Sequence, residues 1–194
     1  MPKIYLASRS PRRGEILRQI GVDFEVLPSD IDEAVLPDEA PEHYVQRLAQ
    51  EKAIACIQAI SRRGMHVMPL LAADTTVCVD GEILGKPENN QHAAEMLRKM
   101  SGRWHTTHTG VAVADGDRIE VLLSSTQVEM KLLTEAEINA YVTSGESEGK
   151  AGAYAIQGLA GSFISRIEGS YSGVMGLPVF ETVQLLNKFG IKVL

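Results

Sequence analysis

Two hairpin signals, set among segments with a helical pattern, constrain the fold of this chain more than any other feature. The first turns at Asp80-Gly81 and the second at Asp115-Gly116-Asp117, each between two apolar segments. Aspartate followed by glycine is typical of tight hairpin turns, because both residues tolerate positive φ. Helices and strands alternate along the rest of the chain, a pattern that favours parallel pairing. The sequence therefore predicts an α/β fold with a mixed, twisted sheet and flanking helices.

Composition and charge narrow the class of protein. Apolar residues make up 44% of 194 residues, enough for one hydrophobic core, and we expect a single domain over 1–194. The net charge of −6 argues against a general affinity for nucleic acid. Cys56 and Cys78 lack the spacing of a disulfide framework or a zinc site. The apolar run at the N-terminus is too short for a signal peptide, and none is long enough to span a membrane. A soluble, cytoplasmic protein without a membrane or nucleic-acid partner is predicted.

Capping residues and helix breakers set several boundaries. Ser10 is the predicted N-cap of a helix that begins at Pro11. A capping box is predicted at Thr134-Glu135-Ala136-Glu137. In the glycine-rich segment 145–176 we expect one strand, at 163–167, and a last strand is expected at 191–194.

The turn from Ser8 to Arg13 follows a short apolar strand and leads into that helix. It carries two hydroxyl groups and three arginines. Free N–H groups and the helix dipole attract phosphate to such a position. The alternative is an ordinary capped helix with solvated arginines, because no standard phosphate-loop motif occurs in the chain.

Two lysines also suggest anion binding. Lys52 falls within the apolar stripe of the helix that begins at Pro41, between Leu48 and Cys56. A lysine aimed at the interior costs free energy unless it meets an anion or extends to water, and both alternatives stay open. Lys86, between a glycine and a proline, points either at phosphate or at solvent.

Two carboxylates are candidate cation ligands. Asp74 follows the apolar run Leu70-Leu71-Ala72-Ala73 and is predicted to end a strand, where α/β sheets open onto ligand crevices. Glu33 lies in an acidic loop. Magnesium or manganese needs few carboxylates when substrate phosphates complete its shell. The alternatives are a turn cap for Asp74 and a solvated loop for Glu33.

Three other features of the sequence involve Gln157, two histidines and Cys56. Gln157 follows a run of small residues and is placed either to read a base edge or to pack in a loop. His105 and His108 are three apart in a predicted strand, so they face opposite sides and make a poor metal pair. Cys56 lies on a core face and is predicted to be inert.

In combination these motifs resemble the Maf family of nucleotide pyrophosphatases, over almost the whole chain. The resemblance rests on motifs that occur here in order: 8–13, 32–33, 47–53, 73–75, 85–87, 150–154, 156–158 and 176–178. It implies a two-lobed α/β fold shared with inosine triphosphate pyrophosphatases, with a cleft between the lobes.

The resemblance also assigns roles to residues. Asp74 matches the family's catalytic aspartate. Arg12, Thr75 and Gln157 match three positions that separate branches by substrate, and the branch acting on dTTP and UTP has these residues. The 7-methyl-GTP branch instead has tryptophan, glutamine and glutamate.

We therefore expect a hydrolase that releases pyrophosphate from dTTP and UTP, clearing unwanted or modified nucleotides. Glu33 and Asp74 are expected to hold magnesium, manganese or cobalt, and Asp74 to activate water. Ser8, Arg13, Lys52 and Lys86 are expected to bind the triphosphate. The family also implies a homodimer. The alternatives are 7-methyl-GTP as the substrate, or a non-catalytic regulator of septation.

Overall fold

One mixed sheet forms the frame of residues 3–193, the part of the chain described by the computed structural model. Its order is β2-β1-β3-β5-β6-β7, with β4 also paired to β3. The strands are β1 Lys3–Leu6, β2 Asp23–Val26, β3 Leu70–Val79, β4 Glu82–Leu84, β5 Trp104–Asp115, β6 Arg118–Met130 and β7 Ile164–Glu168. The helices are α1 Pro11–Gln19, α2 Pro41–Arg62, α3 Asn90–Met100, α4 Glu135–Thr143, α5 Tyr171–Met175 and α6 Val179–Lys188.

Strand directions confirm the predicted mixed α/β fold. β2, β1 and β3 are parallel, whereas β4, β5, β6 and β7 pair antiparallel to their neighbours. Both predicted hairpins are present, one joining β3 to β4 and the other joining β5 to β6. In the first turn Asp80 and Gly81 both have positive φ, at 51° and 82°, which suits the tight connection.

The core divides into two lobes that share this sheet. Along β3, Leu71 and Ala73 pack against α1 and α6, whereas Leu70 and Ala72 pack against α2. This alternation is the period of two that a strand buried on both faces requires. Further along the same strands, Val77 belongs to a separate cluster built largely from α3, α4 and the segment that follows α4. The cleft described below lies between these lobes.

An interruption along one edge of β3 opens the cleft. β1 pairs with β3 only up to Leu71, and β4 takes the same edge from Val77 onward. The residues between them therefore have no strand partner on that edge in the described chain. Asp74 lies in this gap, so the prediction that it ends a strand is wrong. The β-branched run Thr75-Thr76-Val77 continues the strand, and it is the end of β1 that exposes Asp74.

Some boundaries differ from those predicted. Ser10 occupies the N-cap position of α1, but its side chain makes no capping bond, and its N–H donates to the Ser8 hydroxyl. The capping box at Thr134 is confirmed. The strand expected at 163–167 is β7, shifted by one residue. Segment 145–176 also contains α5 and two short 3₁₀ turns, Ala151–Ala153 and Leu159–Phe163, which were not predicted.

The last strand, expected at 191–194, is absent from the described residues 191–193; Leu194 lies outside them. Ile191 donates its N–H to the Leu186 carbonyl at the end of α6 and buries its side chain against α1 and α6. Helix capping and apolar packing, and not strand pairing, therefore fix this segment.

Gly110 allows α2 to lie unusually close to the sheet. This glycine pairs with Asp74 across β3 and β5, and a Cβ built on it would lie 2.4 Å from the Val45 carbonyl oxygen. Glycine inside a strand often marks such a close backbone approach. The same helix carries Lys52, so this contact helps to set the distance between Lys52 and Asp74.

Gly110→Ala is expected to lower the free energy of unfolding by about 1–3 kcal/mol, because the added methyl group overpacks the α2 interface. Urea denaturation measures the effect. Gly85→Ala is the matched control, since its Cβ would meet nothing within 4 Å. Equal stability of the Gly110 variant and the wild type would contradict this account of helix packing.

Candidate active site

A cleft of about 690 Å³ lies between the two lobes. It is lined by the turn after β1, the open edge of β3, the loop after β2 and the segment that follows α4. The nine predicted site residues all line it: Ser8, Arg12, Arg13, Glu33, Lys52, Asp74, Thr75, Lys86 and Gln157. The fold thus brings together residues that are up to 149 positions apart in the sequence.

Lys52 bridges two carboxylates at the base of the cleft. Its Nζ lies 2.6 Å from Asp74 Oδ1 and 2.7 Å from Glu33 Oε1. Lys52 and Asp74 are each only 8% exposed. Lys52 therefore does not extend to bulk water; it meets the charge partners that a buried lysine requires, Asp74 in the interior and Glu33 on an exposed loop.

Glu33 belongs to an exposed loop that is held against α2. Its backbone carbonyl accepts the Tyr44 hydroxyl at 2.9 Å, and Arg47 donates to the Ala34 carbonyl at 3.0 Å. Burial alone would raise the pKa of Glu33, but the hydrogen bond and charge of Lys52, helped by Lys86, hold that pKa below its ordinary value. Glu33 therefore stays ionised at neutral pH.

Arg13 is fixed by three different partners. Its Nε donates to the Gly176 carbonyl at 2.7 Å, its Nη1 to Ser8 Oγ at 3.0 Å and its Nη2 to Thr75 Oγ1 at 3.1 Å. Burial lowers the pKa of Arg13, and the negative charge of Asp74 partly offsets that effect. Since a guanidinium does not deprotonate in proteins, a fixed positive charge faces the cleft.

The Thr75 hydroxyl group has one defined hydrogen bond as a donor and one as an acceptor. Thr109, fully buried on β5, donates to the Gly173 carbonyl at 2.8 Å. Its oxygen lies 3.0 Å from Thr75 Oγ1, so Thr75 is the donor in that pair. Thr75 also accepts from Arg13. Its hydroxyl proton is thus already used inside the protein. Sequence reasoning missed Thr109, because one threonine in a strand gives no functional signal.

Arg12 and Lys150 face the cleft from opposite lobes. Burial lowers the pKa of Arg12, and no described residue accepts a hydrogen bond from its buried Nε. Burial also lowers the pKa of Lys150, and the charge of Arg12 lowers it further. Nearby carboxylates, Glu15 for Arg12 and Glu146 and Glu148 for Lys150, only partly offset these effects, so the two like charges favour an anion or a carbonyl as partner. Lys150 lies within one of the motifs that resemble the family, but the sequence alone assigns it no role.

Gln157 lies exposed on the rim, in a loop that Glu146 anchors. The Glu146 carboxylate accepts the N–H groups of Leu159 at 3.0 Å and Ala160 at 3.3 Å. It also accepts the Tyr141 hydroxyl, which in turn accepts the N–H of Ala155. A partly buried acid thus holds both sides of Gln157, and nothing in the local sequence identifies Glu146 for this role.

The residues set aside by the sequence analysis behave as predicted. His105 bonds to Tyr154 at 2.7 Å and His108 to Ser125 at 2.9 Å, so they do not form a pair. Burial lowers the pKa of His105 to about 4. Burial raises the pKa of Cys56 to about 11, consistent with an inert thiol. Among residues 3–193, no group of three or more His, Cys, Asp or Glu side chains is placed to hold a metal ion.

Comparison with known proteins gives consistent matches. A protein of Methylobacillus flagellatus named dTTP/UTP pyrophosphatase is 59% identical over 193 residues, covering 100% of this chain and 96% of that protein. One of the same name from Chromobacterium violaceum is 55% identical, covering 98% of this chain and 96% of that protein. The Ham1 protein structure of Staphylococcus aureus has a TM-score of 0.44 at 16% identity, covering 66% of this chain and 71% of that one.

A Haemophilus ducreyi protein named nucleoside triphosphate pyrophosphatase is 47% identical, covering 99% of this chain and 98% of that protein. Within residues 3–193, no helix has both the length and the apolar character needed to cross a bilayer. The family model described as Maf-like protein matches residues 3–189, and the chain belongs to that family.

Proposed function

We propose that this protein is a nucleoside triphosphate pyrophosphatase that hydrolyses dTTP and UTP to the monophosphate and pyrophosphate. The observation that carries the proposal is the cluster at the base of the cleft, where two carboxylates and three cationic side chains meet. A triphosphate needs cations along its length and a base near the attacked phosphorus. The relatives named dTTP/UTP pyrophosphatase support the same reaction and the same substrates.

The triphosphate is bound by residues of both lobes in this proposal. Arg13 supplies a fixed charge on one side, and Ser8 presents its hydroxyl beside it. Lys86, exposed on the opposite side, is free to move toward phosphate oxygens. Lys52 lies at the base, between them. Because the reaction transfers a nucleotidyl group from a polyanion to water, such neutralisation supplies much of the rate enhancement.

A divalent cation fits the carboxylates that the site offers. Glu33 and Asp74 point oxygen atoms at one position, the Lys52 nitrogen, and magnesium is commonly held by one or two carboxylates together with substrate phosphates. Magnesium, manganese or cobalt would supply charge neutralisation and polarise the attacked phosphate. Glu33 and Asp74 are the proposed ligands.

Asp74 is the proposed catalytic base. A carboxylate at the floor of the cleft can orient a water molecule and accept its proton as the oxygen attacks phosphorus. The bond between the α and β phosphates then breaks, and pyrophosphate leaves. The rigid strand β3 holds Asp74 in place, which favours a reproducible angle of attack.

Arg12, Thr75 and Gln157 are the proposed selectors of the base. Arg12 donates from α1, and Gln157 offers both an amide donor and a carbonyl acceptor from the opposite lobe. Because the Thr75 hydroxyl proton is used by Thr109, we propose that Thr75 acts on selection through Arg13 and not by donating to the base.

Several broader expectations belong to the same proposal. The protein acts in the cytoplasm as a single domain over 1–194, forms a homodimer, and takes a nucleotide and not a nucleic acid or membrane as its partner. It removes unwanted or modified pyrimidine nucleotides. The names of the relatives favour this reaction over 7-methyl-GTP hydrolysis and over a non-catalytic role in septation.

A panel of nucleoside triphosphates with product analysis tests the function. Pyrophosphate and monophosphate should form fastest from dTTP and UTP. Excess chelator should abolish turnover, and magnesium, manganese or cobalt should restore it, because oxygen ligands beside phosphates suit these cations. Chelator already saturated with magnesium is the control. Full turnover in excess chelator would refute the requirement for a divalent cation. Failure to release pyrophosphate from any nucleotide would refute the proposed pyrophosphatase activity.

Asp74→Asn should preserve the fold and lower kcat by about 10²–10⁴-fold, because it removes a base while keeping volume. Circular dichroism verifies folding, and single-turnover pyrophosphate release measures the rate. Asp80→Asn, an exposed carboxylate paired with Arg103, is the matched control and should keep wild-type turnover. A folded Asp74 variant with most of its activity would exclude the assigned role.

Gln157→Glu should selectively lower kcat/KM for pyrimidine nucleotides. An ionised glutamate cannot donate, so it would face a pyrimidine carbonyl with negative charge, at a cost of about 1–3 kcal/mol in kcat/KM. Guanine presents N–H donors, so the ratio of 7-methyl-GTP to dTTP hydrolysis should rise. Gln58→Glu, exposed on α2, is the control. An equal loss for every nucleotide would mean that Gln157 does not read the base.

A further inference from the structure

The two carboxylates of the site already have a cationic partner within the protein. Glu33 and Asp74 each hold an oxygen within 2.7 Å of the Lys52 ammonium. Lys86 Nζ lies 3.6 Å from the other Glu33 oxygen. The nitrogen of Lys52 thus stands at the point on which both carboxylates converge, where a cation shared by them would bind.

The charges around this point disfavour a free cation. Two carboxylates face three positive side chains, Arg13, Lys52 and Lys86. A bare divalent ion would therefore enter a cluster with no uncompensated negative charge, and it would have to displace a buried ammonium. The repulsion is strongest beside Lys52 and Asp74, which are shielded from water, and weaker beside the exposed Lys86.

We propose that Lys52 occupies the cation position in the nucleotide-free protein, and that the cation enters only together with the triphosphate. The inference rests on the proposed function and adds an order of binding to it. The nucleotide carries more negative charge than one cation neutralises, so the complex reverses the balance of the site. It also offers Lys52 new oxygen partners when the carboxylates turn to the cation.

Lys52 can make this exchange, whereas Arg13 cannot. A lysine ammonium sits on a flexible four-carbon chain and rotates freely among acceptors. Arg13 is held by Gly176, Ser8 and Thr75 at once. Glu33 is on an exposed loop and is free to follow either partner. The exchange therefore needs only a side-chain rotation beside a rigid strand.

Manganese binding without nucleotide tests the exchange. Loss of the free Mn²⁺ signal in electron paramagnetic resonance measures binding directly, without any turnover. Wild-type protein should bind Mn²⁺ weakly, whereas Lys52→Met should bind it at least about tenfold more tightly, because the competing ammonium is gone. The double variant Lys52→Met with Asp74→Asn should lose this increase in Mn²⁺ affinity, and that loss would locate the ion at these carboxylates.

Lys86→Met is the matched control, because it removes one charge near Glu33 without emptying the shared position. It should strengthen Mn²⁺ binding less than Lys52→Met does. Lys52→Gln serves as a second variant if two facing carboxylates unfold the methionine protein. The melting temperature of the wild type should rise little with Mn²⁺ alone. With Mn²⁺ and the α,β-methylene analogue of UTP together, it should rise by more than the sum of the two separate shifts.

The outcomes separate this inference from the function on which it rests. Equal Mn²⁺ affinity in wild type and both Lys52 variants, or an equal gain in Lys86→Met, would overturn the exchange and leave the hydrolase proposal intact. If Mn²⁺ binds no variant and does not raise the melting temperature of the wild type in the presence of the analogue, the proposal that this site holds a divalent cation is wrong. Weak binding alone with cooperative binding beside the analogue supports the proposed order.

Discussion

The contact between Lys52 and Asp74 is the interaction on which the rest of the site depends. Removing two charges from water is costly, so a buried pair persists only when its geometry is well satisfied. Here the strand fixes one partner and a close helix fixes the other, since Gly110 leaves no side chain between them. The pair therefore serves to position two charged groups within the core, and it is not a source of folding stability.

The unequal lengths of three strands turn that pair into an accessible site. β3 runs past the end of β1, and β4 begins only at Val77, so the middle of β3 is backed by the sheet on one edge and open on the other. Alternation along β3 then sends Asp74 toward α2 and Thr75 toward Arg13 on α1. One short stretch of strand therefore presents, on opposite faces and at one opening, a carboxylate and a hydroxyl group that supports the Arg13 guanidinium.

The sequence was sufficient to predict the class of fold and the members of the cleft, but not their connections. Hairpin turns and helix caps are local signals, and Asp80-Gly81 and Thr134 illustrate how reliably they act. The strand end assigned to Asp74 was wrong, because the cleft is produced by β1, a strand distant in the sequence. Glu146 and Thr109 were missed for the same reason: each acts through partners that only folding brings near.

In the proposed function, the hydrogen bonds behind Arg13 tie substrate selection to phosphate binding. Since Thr109 donates to Gly173, the proton of Thr75 must go to Thr109, and Thr75 then offers only a lone pair to Arg13. A different residue at position 75 would alter the hold on Arg13 before it altered any contact with a base. We propose that the identity of that residue affects which nucleotide reacts by changing where the phosphates sit relative to Asp74.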